Sequence, residues 1–214
     1  MRHLGLCKLA PAMTPIGPKY DTCFFERYAM ASLRHLLGEP YDTLVNRDRP
    51  DLQCDDHSIG IEVTRAIRED GYTAKALINE MAGTDVFDLS DTPYAYGFSN
   101  TDKMSRREYR YWTTALPMQR ILENKIRKVS SGFYGDFERM GLYIFSKEDL
   151  IEDEVASTLR LAMQLQQGLT KAYDTIFISQ IQALFVCDPG TGTFRIIDID
   201  EEMGRRFYEE ASKA

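Results

Sequence analysis

The segment from Pro50 to Thr64 decides the fold, because its pattern is that of a β-hairpin. It runs Pro50-Asp51-Leu52-Gln53-Cys54, then Asp55-Asp56-His57-Ser58, then Ile59-Gly60-Ile61-Glu62-Val63-Thr64. Two short strands joined by turn-forming residues are therefore predicted. In the second strand the isoleucines and the valine point one way, so Glu62 points the other way, with space expected beside Gly60 and Thr64. We interpret the Asp-Asp-His turn as exposed polar residues rather than as a metal site.

A helix is predicted immediately before this hairpin, from Asp21 to Leu37, with Gly38 and Pro40 ending it. At 100° per residue, Glu26 falls inside the apolar stripe of the helix, which consists of Phe25, Ala29, Met30, Leu33, Leu36 and Leu37. A carboxylate that points at the core needs a metal, a hydrogen-bond network or an arginine as its partner. Arg49 and Arg65 are candidate arginines, and a position at the edge of the core is an equally open reading.

A second helix is predicted from Pro117 to Ser131, ended by Gly132. Its apolar stripe consists of Met118, Leu122, Ile126 and Val129. Lys125 lies at the edge of that stripe and Lys128 a little further round. Lys125 therefore faces the sheet, either to meet a partner there or to run its aliphatic stem along the core and reach water.

The remaining pattern predicts an α/β fold with a mixed central sheet flanked by helices. We expect one domain over residues 1–214, with a core at about 20–64 and 116–200 and an insertion at about 65–115 before the second core helix. The other predicted helices and strands are a helix at Arg65–Met81, a strand at Leu142–Phe145, a helix at Leu150–Gly168, strands at Thr175–Ser179, Gln182–Cys187 and Phe194–Ile199, and a helix at Glu201–Ala211.

The charge is distributed unevenly along the chain. The formal net charge is −7, but residues 103–128 hold eight basic and two acidic residues, 8 − 2 = +6, which leaves −13 elsewhere. Such segregation predicts an anionic partner, DNA first and RNA second, contacted by Arg106, Arg107, Arg110 and Trp112. A solvated arginine-rich helix face, with its aromatic residues used in packing, is the alternative.

Composition excludes several other classes of protein. No apolar run approaches the roughly 18 residues that a membrane span needs, and prolines interrupt any secretory signal. The four cysteines are scattered, without the close pairs of a zinc site, and are interpreted as reduced core thiols. We therefore predict a soluble, cytoplasmic protein without a membrane partner, and a homodimer stays open.

The order of these features resembles the PD-(D/E)XK nuclease superfamily, over about residues 20–146. The resemblance rests on the inward Glu26, the Pro50-Asp51 strand, the Ile61-Glu62-Val63-Thr64 strand and a later helical lysine. It is closest to a bacterial branch with an IGIEVT strand. It implies a restriction-endonuclease-like core in the α/β fold.

The resemblance also implies a site and an activity. Glu26, Asp51 and Glu62, with the carbonyl of Val63, would bind Mg²⁺ or Mn²⁺, and Asp51 and Glu62 would be catalytic. The family expects a lysine where this chain has Thr64, and some members supply it from the following helix, here Lys125 or, second, Lys128. The implied function is metal-dependent hydrolysis of DNA phosphodiester bonds; the alternative is an inactive nuclease fold that binds nucleic acid or a protein partner.

Overall fold

The computed structural model describes residues 22–66, 116–146 and 150–213. The described helices are α1 (Thr22–Leu37), α2 (Leu116–Ser130), α3 (Glu152–Gln166) and α4 (Glu201–Ser212). The described strands are β1 (Val45–Asn46), β2 (Leu52–Gln53), β3 (Ile59–Arg65), β4 (Arg139–Phe145), β5 (Thr175–Ser179), β6 (Ala183–Asp188) and β7 (Thr193–Asp198).

The strands form one mixed sheet of seven, ordered β1 to β7 as they occur in the chain. The central strands β3, β4 and β5 are parallel to one another, whereas β1, β2, β6 and β7 pair antiparallel with their neighbours. Parallel neighbours need a crossover, and β4 reaches β5 through α3. The chain is therefore an α/β fold with a mixed sheet, as the pattern of the sequence predicted.

Two apolar cores lie on opposite faces of this sheet. On one face, α1 and α4 cover Ile61 and Tyr143, and on the other, α2 and α3 cover Leu142 and Ile144. Side chains alternate along β3 and β4, so neighbouring residues of one strand serve different cores. Any polar residue of β3 is consequently presented to one pair of helices only.

The β2–β3 hairpin forms as predicted, with Leu52 opposite Ile61 and Gln53 opposite Gly60. Its turn is exposed and closed by local hydrogen bonds: the Ser58 N–H donates to Asp56 Oδ1 over 2.9 Å, and the His57 N–H donates to the Cys54 carbonyl over 3.0 Å. The Asp-Asp-His segment is thus a polar turn, in agreement with the prediction.

The helix predictions agree with the structure to within about two residues at each end. Gly38 and Gly132, at φ of 61° and 74°, take the left-handed backbone conformation that follows both α1 and α2. One prediction is corrected: Arg65 ends β3, paired with Phe145, instead of starting a helix, because the long parallel partner extends the strand. The rest of that predicted helix and nearly all of the insertion at 65–115 lie outside the described residues.

Two further findings bear on the composition arguments. In the described ranges no helix is long and apolar enough to cross a membrane. Cys54 and Cys187 are buried free thiols, as predicted for core cysteines. Burial raises the pKa of Cys187 to about 12, so this thiol stays protonated and unreactive near neutral pH.

Candidate functional site

Glu62 lies in the middle of β3 and faces the α2 and α3 side of the sheet. It is only 7% exposed, and its neighbour Ile61 packs into the core on the other face. The predicted alternation is therefore confirmed. The predicted space on the Gly60 side is wrong: a Cβ added to Gly60 would lie 2.8 Å from Pro50 Cγ and 2.9 Å from Phe137 Cγ. Glycine is needed there for close packing.

Lys125 of α2 meets Glu62 directly. Its Nζ lies 2.5 Å from Glu62 Oε1, and the two side chains are 17% and 9% exposed. The contact follows from the helix periodicity, because Leu122 and Ile126 are buried against the sheet and carry the adjacent Lys125 over β3. The predicted direction of Lys125 is confirmed, and its partner is the β3 carboxylate.

Asp51 is held at the open edge of β3. The β2–β3 ladder ends at Leu52 and Ile61, so the Val63 N–H has no partner on β2. Asp51 supplies one: its Oδ2 accepts the Val63 N–H over 2.7 Å. The N–H and carbonyl of one strand residue point to the same side. The Val63 carbonyl therefore faces the edge on which Asp51 lies.

Glu26 reaches the same region from the other face of the sheet. It is 8% exposed, as its position in the apolar stripe of α1 predicted, and its Oε2 accepts a hydrogen bond of 2.8 Å from Asn46 Nδ2. Asn46 of β1 was missed from the sequence, since a strand of two residues has no periodicity to detect. The candidate arginines are occupied elsewhere: Arg49 lies beside Asp48 and the Phe133 ring, and Arg65 lies over the Phe25 ring.

The acids act on one another through their charges. Burial, and after it the negative charge of Glu62, raises the pKa of Asp51 to about 7, with a smaller contribution from Glu26. The Val63 N–H and the Lys125 ammonium oppose this rise. The Lys125 ammonium thus acts on two carboxylates, Glu62 and Asp51, and Glu26 adds further negative charge that is felt at Asp51. Such an excess of negative charge favours the uptake of a proton or of a cation.

The oxygen donors of this site suit a hard cation that keeps part of its water shell, and they do not form a closed metal cage. Over the described parts of the chain, no three His, Cys, Asp or Glu side chains lie close enough to hold one ion. The three acids therefore do not form a complete ligand set. Mg²⁺ is commonly bound by one or two carboxylates, with waters and substrate phosphate completing its shell. Asp51 and Glu62, with the Val63 carbonyl, fit that requirement, and Glu26 adds negative charge behind Asp51.

Two tyrosines complete the surroundings of Glu62 and were missed from the sequence. Tyr173, just before β5, donates a hydrogen bond of 3.3 Å to the Lys125 carbonyl. The Tyr134 hydroxyl, in the turn after α2, is buried beside Tyr173 and Glu62. Single tyrosines in loops carry no pattern that would have revealed them.

The other predicted residues are not gathered at the site. Lys128 is exposed, with its Nζ 5.1 Å from the centre of the Phe133 ring, so α2 brings only one of its two candidate lysines to Glu62. The predicted nucleic-acid contacts, Arg106, Arg107, Arg110 and Trp112, lie outside the described residues.

No protein-family model, no curated protein and no solved structure matches this chain. The case for a function therefore rests on the site itself.

Proposed function

We propose that the protein is a metal-dependent nuclease that hydrolyses phosphodiester bonds in DNA, with Mg²⁺, or Mn²⁺ in its place, bound at Asp51 and Glu62. The single observation that carries the proposal is the 2.5 Å contact between Lys125 Nζ and Glu62 Oε1, beside an Asp51 of raised pKa. Acids and a lysine in one partly buried site form the residue set that phosphodiester hydrolysis requires.

The roles of the residues follow from their positions. Asp51 is oriented by the Val63 N–H at 2.7 Å, which leaves its other oxygen for a ligand. Glu62 is held in the β3 strand, and the Lys125 ammonium lies 2.5 Å from it. Lys125 is suited to hold an attacking water or to offset negative charge on the phosphate. When bound, Mg²⁺ supplies a lowered pKa for water and further charge compensation.

The order of the elements supports a restriction-endonuclease-like core as part of this proposal. A helix with an inward acid, a hairpin with two acids, a helix with an inward lysine and a parallel strand follow one another as α1, β2–β3, α2 and β4. In this reading Lys125 takes the role of the lysine that the family carries where this chain has Thr64.

The test is cleavage of DNA by the purified protein. Supercoiled plasmid, linear duplex, single-stranded DNA and RNA are incubated with Mg²⁺, with Mn²⁺ and with a chelator. We expect cleavage of DNA only with a divalent cation, and a loss of at least about a hundredfold in Asp51→Asn, Glu62→Gln and Lys125→Met. Asp56→Asn and Lys128→Met are the matched controls, because both side chains are exposed and outside the site.

Two results would contradict the nuclease proposal. One is intact DNA in every form with every cation. The other is cleavage that survives all three site substitutions, which would point to a contaminating enzyme or a different site. Equal losses in Lys125→Met and Lys128→Met would contradict the assignment of Lys125 alone.

A second function is favoured by one residue, Thr64. The nuclease superfamily carries a lysine at the position of Thr64, and its absence from β3 favours the alternative that the protein is an inactive nuclease fold, which binds nucleic acid or a protein partner. This alternative predicts DNA binding without a cation, weakened by salt and by substitution of Arg106, Arg107 and Arg110. Filter binding at two salt concentrations with a chelator present separates it from the nuclease.

A further inference from the structure

A second group of polar side chains lies on the face of the sheet that α1 and α4 cover, away from the proposed active site. Arg139 and Gly141 on β4 and Thr175 on β5 lie at the starts of these strands, and Gly141 pairs with Thr175. Together with Tyr41 they line a small pocket of about 20 Å³. The Tyr41 ring is held there by Phe177, which it meets edge-on with 5.9 Å between the ring centres.

Arg195 approaches Tyr41 from the opposite direction along the sheet. It pairs with Val186, which pairs in turn with Phe177, the residue that contacts Tyr41. Directly paired residues share a face, so Arg195 lies about 10 Å from Phe177 across two strands, within reach of its long side chain. Burial raises the pKa of Tyr41, and the charges of Arg139 and Arg195 oppose that rise, which agrees with two guanidinium groups near the phenol.

The donors of this group have no acceptor in the described part of the chain. Both arginines are exposed, neither guanidinium group forms an ion pair there, and the Tyr41 hydroxyl donates to no protein atom. Asp174, which precedes Thr175, is engaged elsewhere, because its Oδ2 accepts the Met140 N–H over 2.7 Å. The chain holds 33 acidic residues against 26 lysines and arginines, so two arginines near one phenol without a carboxylate form a distinct positive patch.

We propose that Tyr41, Arg139 and Arg195 form an anion site that binds a phosphate group. A guanidinium group offers several N–H donors in a fixed plane, which match the oxygens of a phosphate, and a phenol adds one more donor. The pocket of about 20 Å³ holds little more than a water molecule. The phosphate therefore lies at the mouth of the pocket, between the two guanidinium groups, and the rest of its carrier stays in solvent.

Two carriers present the same phosphate chemistry: the backbone of a nucleic acid, and a free phosphate ion or monoester. The site itself is independent of the proposed metal centre, because Glu62 faces the other side of the sheet and no metal is needed here. If the carrier is DNA, the site holds it at a second point, away from the bond that is cleaved. Only this last role rests on the proposed function.

The first measurement is the affinity for inorganic phosphate, read from the rise in melting temperature at constant ionic strength, with chloride as the reference and a chelator present. We expect Arg139→Gln and Arg195→Gln each to weaken the affinity about tenfold, because hydrogen bonds to a charged ligand are lost. Tyr41→Phe keeps the ring and should weaken it about threefold. Arg160→Gln is the matched control, because it removes the same charge from an exposed position on α3.

The second measurement identifies the carrier of the phosphate. Labelled duplex DNA is titrated with each variant by filter binding at several salt concentrations, again with a chelator. A DNA phosphate at the site predicts weaker binding in Arg139→Gln and Arg195→Gln than in Arg160→Gln, with a salt slope smaller by about 1. Equal DNA affinity in all three variants, with the effect on inorganic phosphate intact, supports a small phosphate ligand.

The inference is overturned if Arg139→Gln and Arg195→Gln match Arg160→Gln in both measurements, because any effect would then reflect total charge alone. Failure of the nuclease proposal gives a different pattern. DNA that stays intact with every cation, while the affinity for phosphate still depends on Arg139 and Arg195, refutes the nuclease and supports the anion site.

Discussion

Removing the Lys125 ammonium should destabilise the protein, and the size of the effect follows from its burial. Breaking a buried ion pair by deleting one partner commonly costs about 3–5 kcal/mol, because an uncompensated charge stays behind. Lys125 and Glu62 are 17% and 9% exposed at their side chains, so some solvent screening remains. We expect Lys125→Met to lower the free energy of unfolding by about 2–4 kcal/mol at pH 8.

The loss of stability caused by Lys125→Met should depend on pH in a defined direction. Asp51 has a pKa of about 7, so it takes up a proton as the pH falls and reduces the negative charge that Lys125 offsets. The destabilisation by Lys125→Met is therefore smaller at pH 5 than at pH 8. Methionine has a similar length and fills the same volume, so lost packing contributes little to the comparison.

The assay is urea unfolding at pH 5 and pH 8 with a chelator, run as a double-mutant cycle. The variants are Lys125→Met, Glu62→Gln and the two combined, with Lys128→Met as the matched control on the exposed side of the helix. The combined variant should be more stable than the sum of the single losses predicts, by about 2 kcal/mol at pH 8.

Two outcomes would refute this reasoning. Additive losses would mean that Lys125 and Glu62 do not interact in solution. A destabilisation by Lys125→Met equal at both pH values would mean that the acids around Lys125 carry no excess charge.

Three further predictions concern the acids and the hairpin. The raised pKa of Asp51 means that the folded protein holds a proton between about pH 4 and 7 that the unfolded chain has released, so wild-type stability falls as pH rises through that window. In chemical unfolding, the free energy of unfolding of Asp51→Asn should then exceed that of wild type by about 1–2 kcal/mol at pH 8 and by little at pH 4. A larger gain at pH 4 than at pH 8 would contradict the charge argument. Gly60→Ala should lower the free energy of unfolding by about 1–3 kcal/mol in the same assay, because the added Cβ would meet Pro50 and Phe137. An unchanged free energy of unfolding would mean that the hairpin packs differently. Mg²⁺ should raise the melting temperature more at pH 8 than at pH 6, because with a pKa of about 7 Asp51 still holds a proton at pH 6 that the ion must displace; a shift independent of pH would exclude that carboxylate as a ligand.

Local periodicity was sufficient for much of the fold and for the directions of three site residues. The alternation along β3 predicted the face on which Glu62 lies, and the helical periodicity of α1 and α2 predicted that Glu26 and Lys125 point inward. These properties depend on residues a few positions apart, whose geometry is set by the strand and helix repeats. The sequence by itself therefore determined the hairpin, the two helices and an acidic region facing a lysine.

The tertiary structure alone decided which of those side chains meet. Lys125 touches Glu62, 63 positions earlier in the chain, while Glu26 turns to Asn46 on the opposite face of the sheet. Contacts of this kind depend on how helices pack across the sheet, and no short-range pattern records that packing. The placement of Tyr134 beside Glu62 is of the same kind. A single tyrosine in a turn belongs to no periodic pattern, so only the folded structure shows that it lies beside a carboxylate.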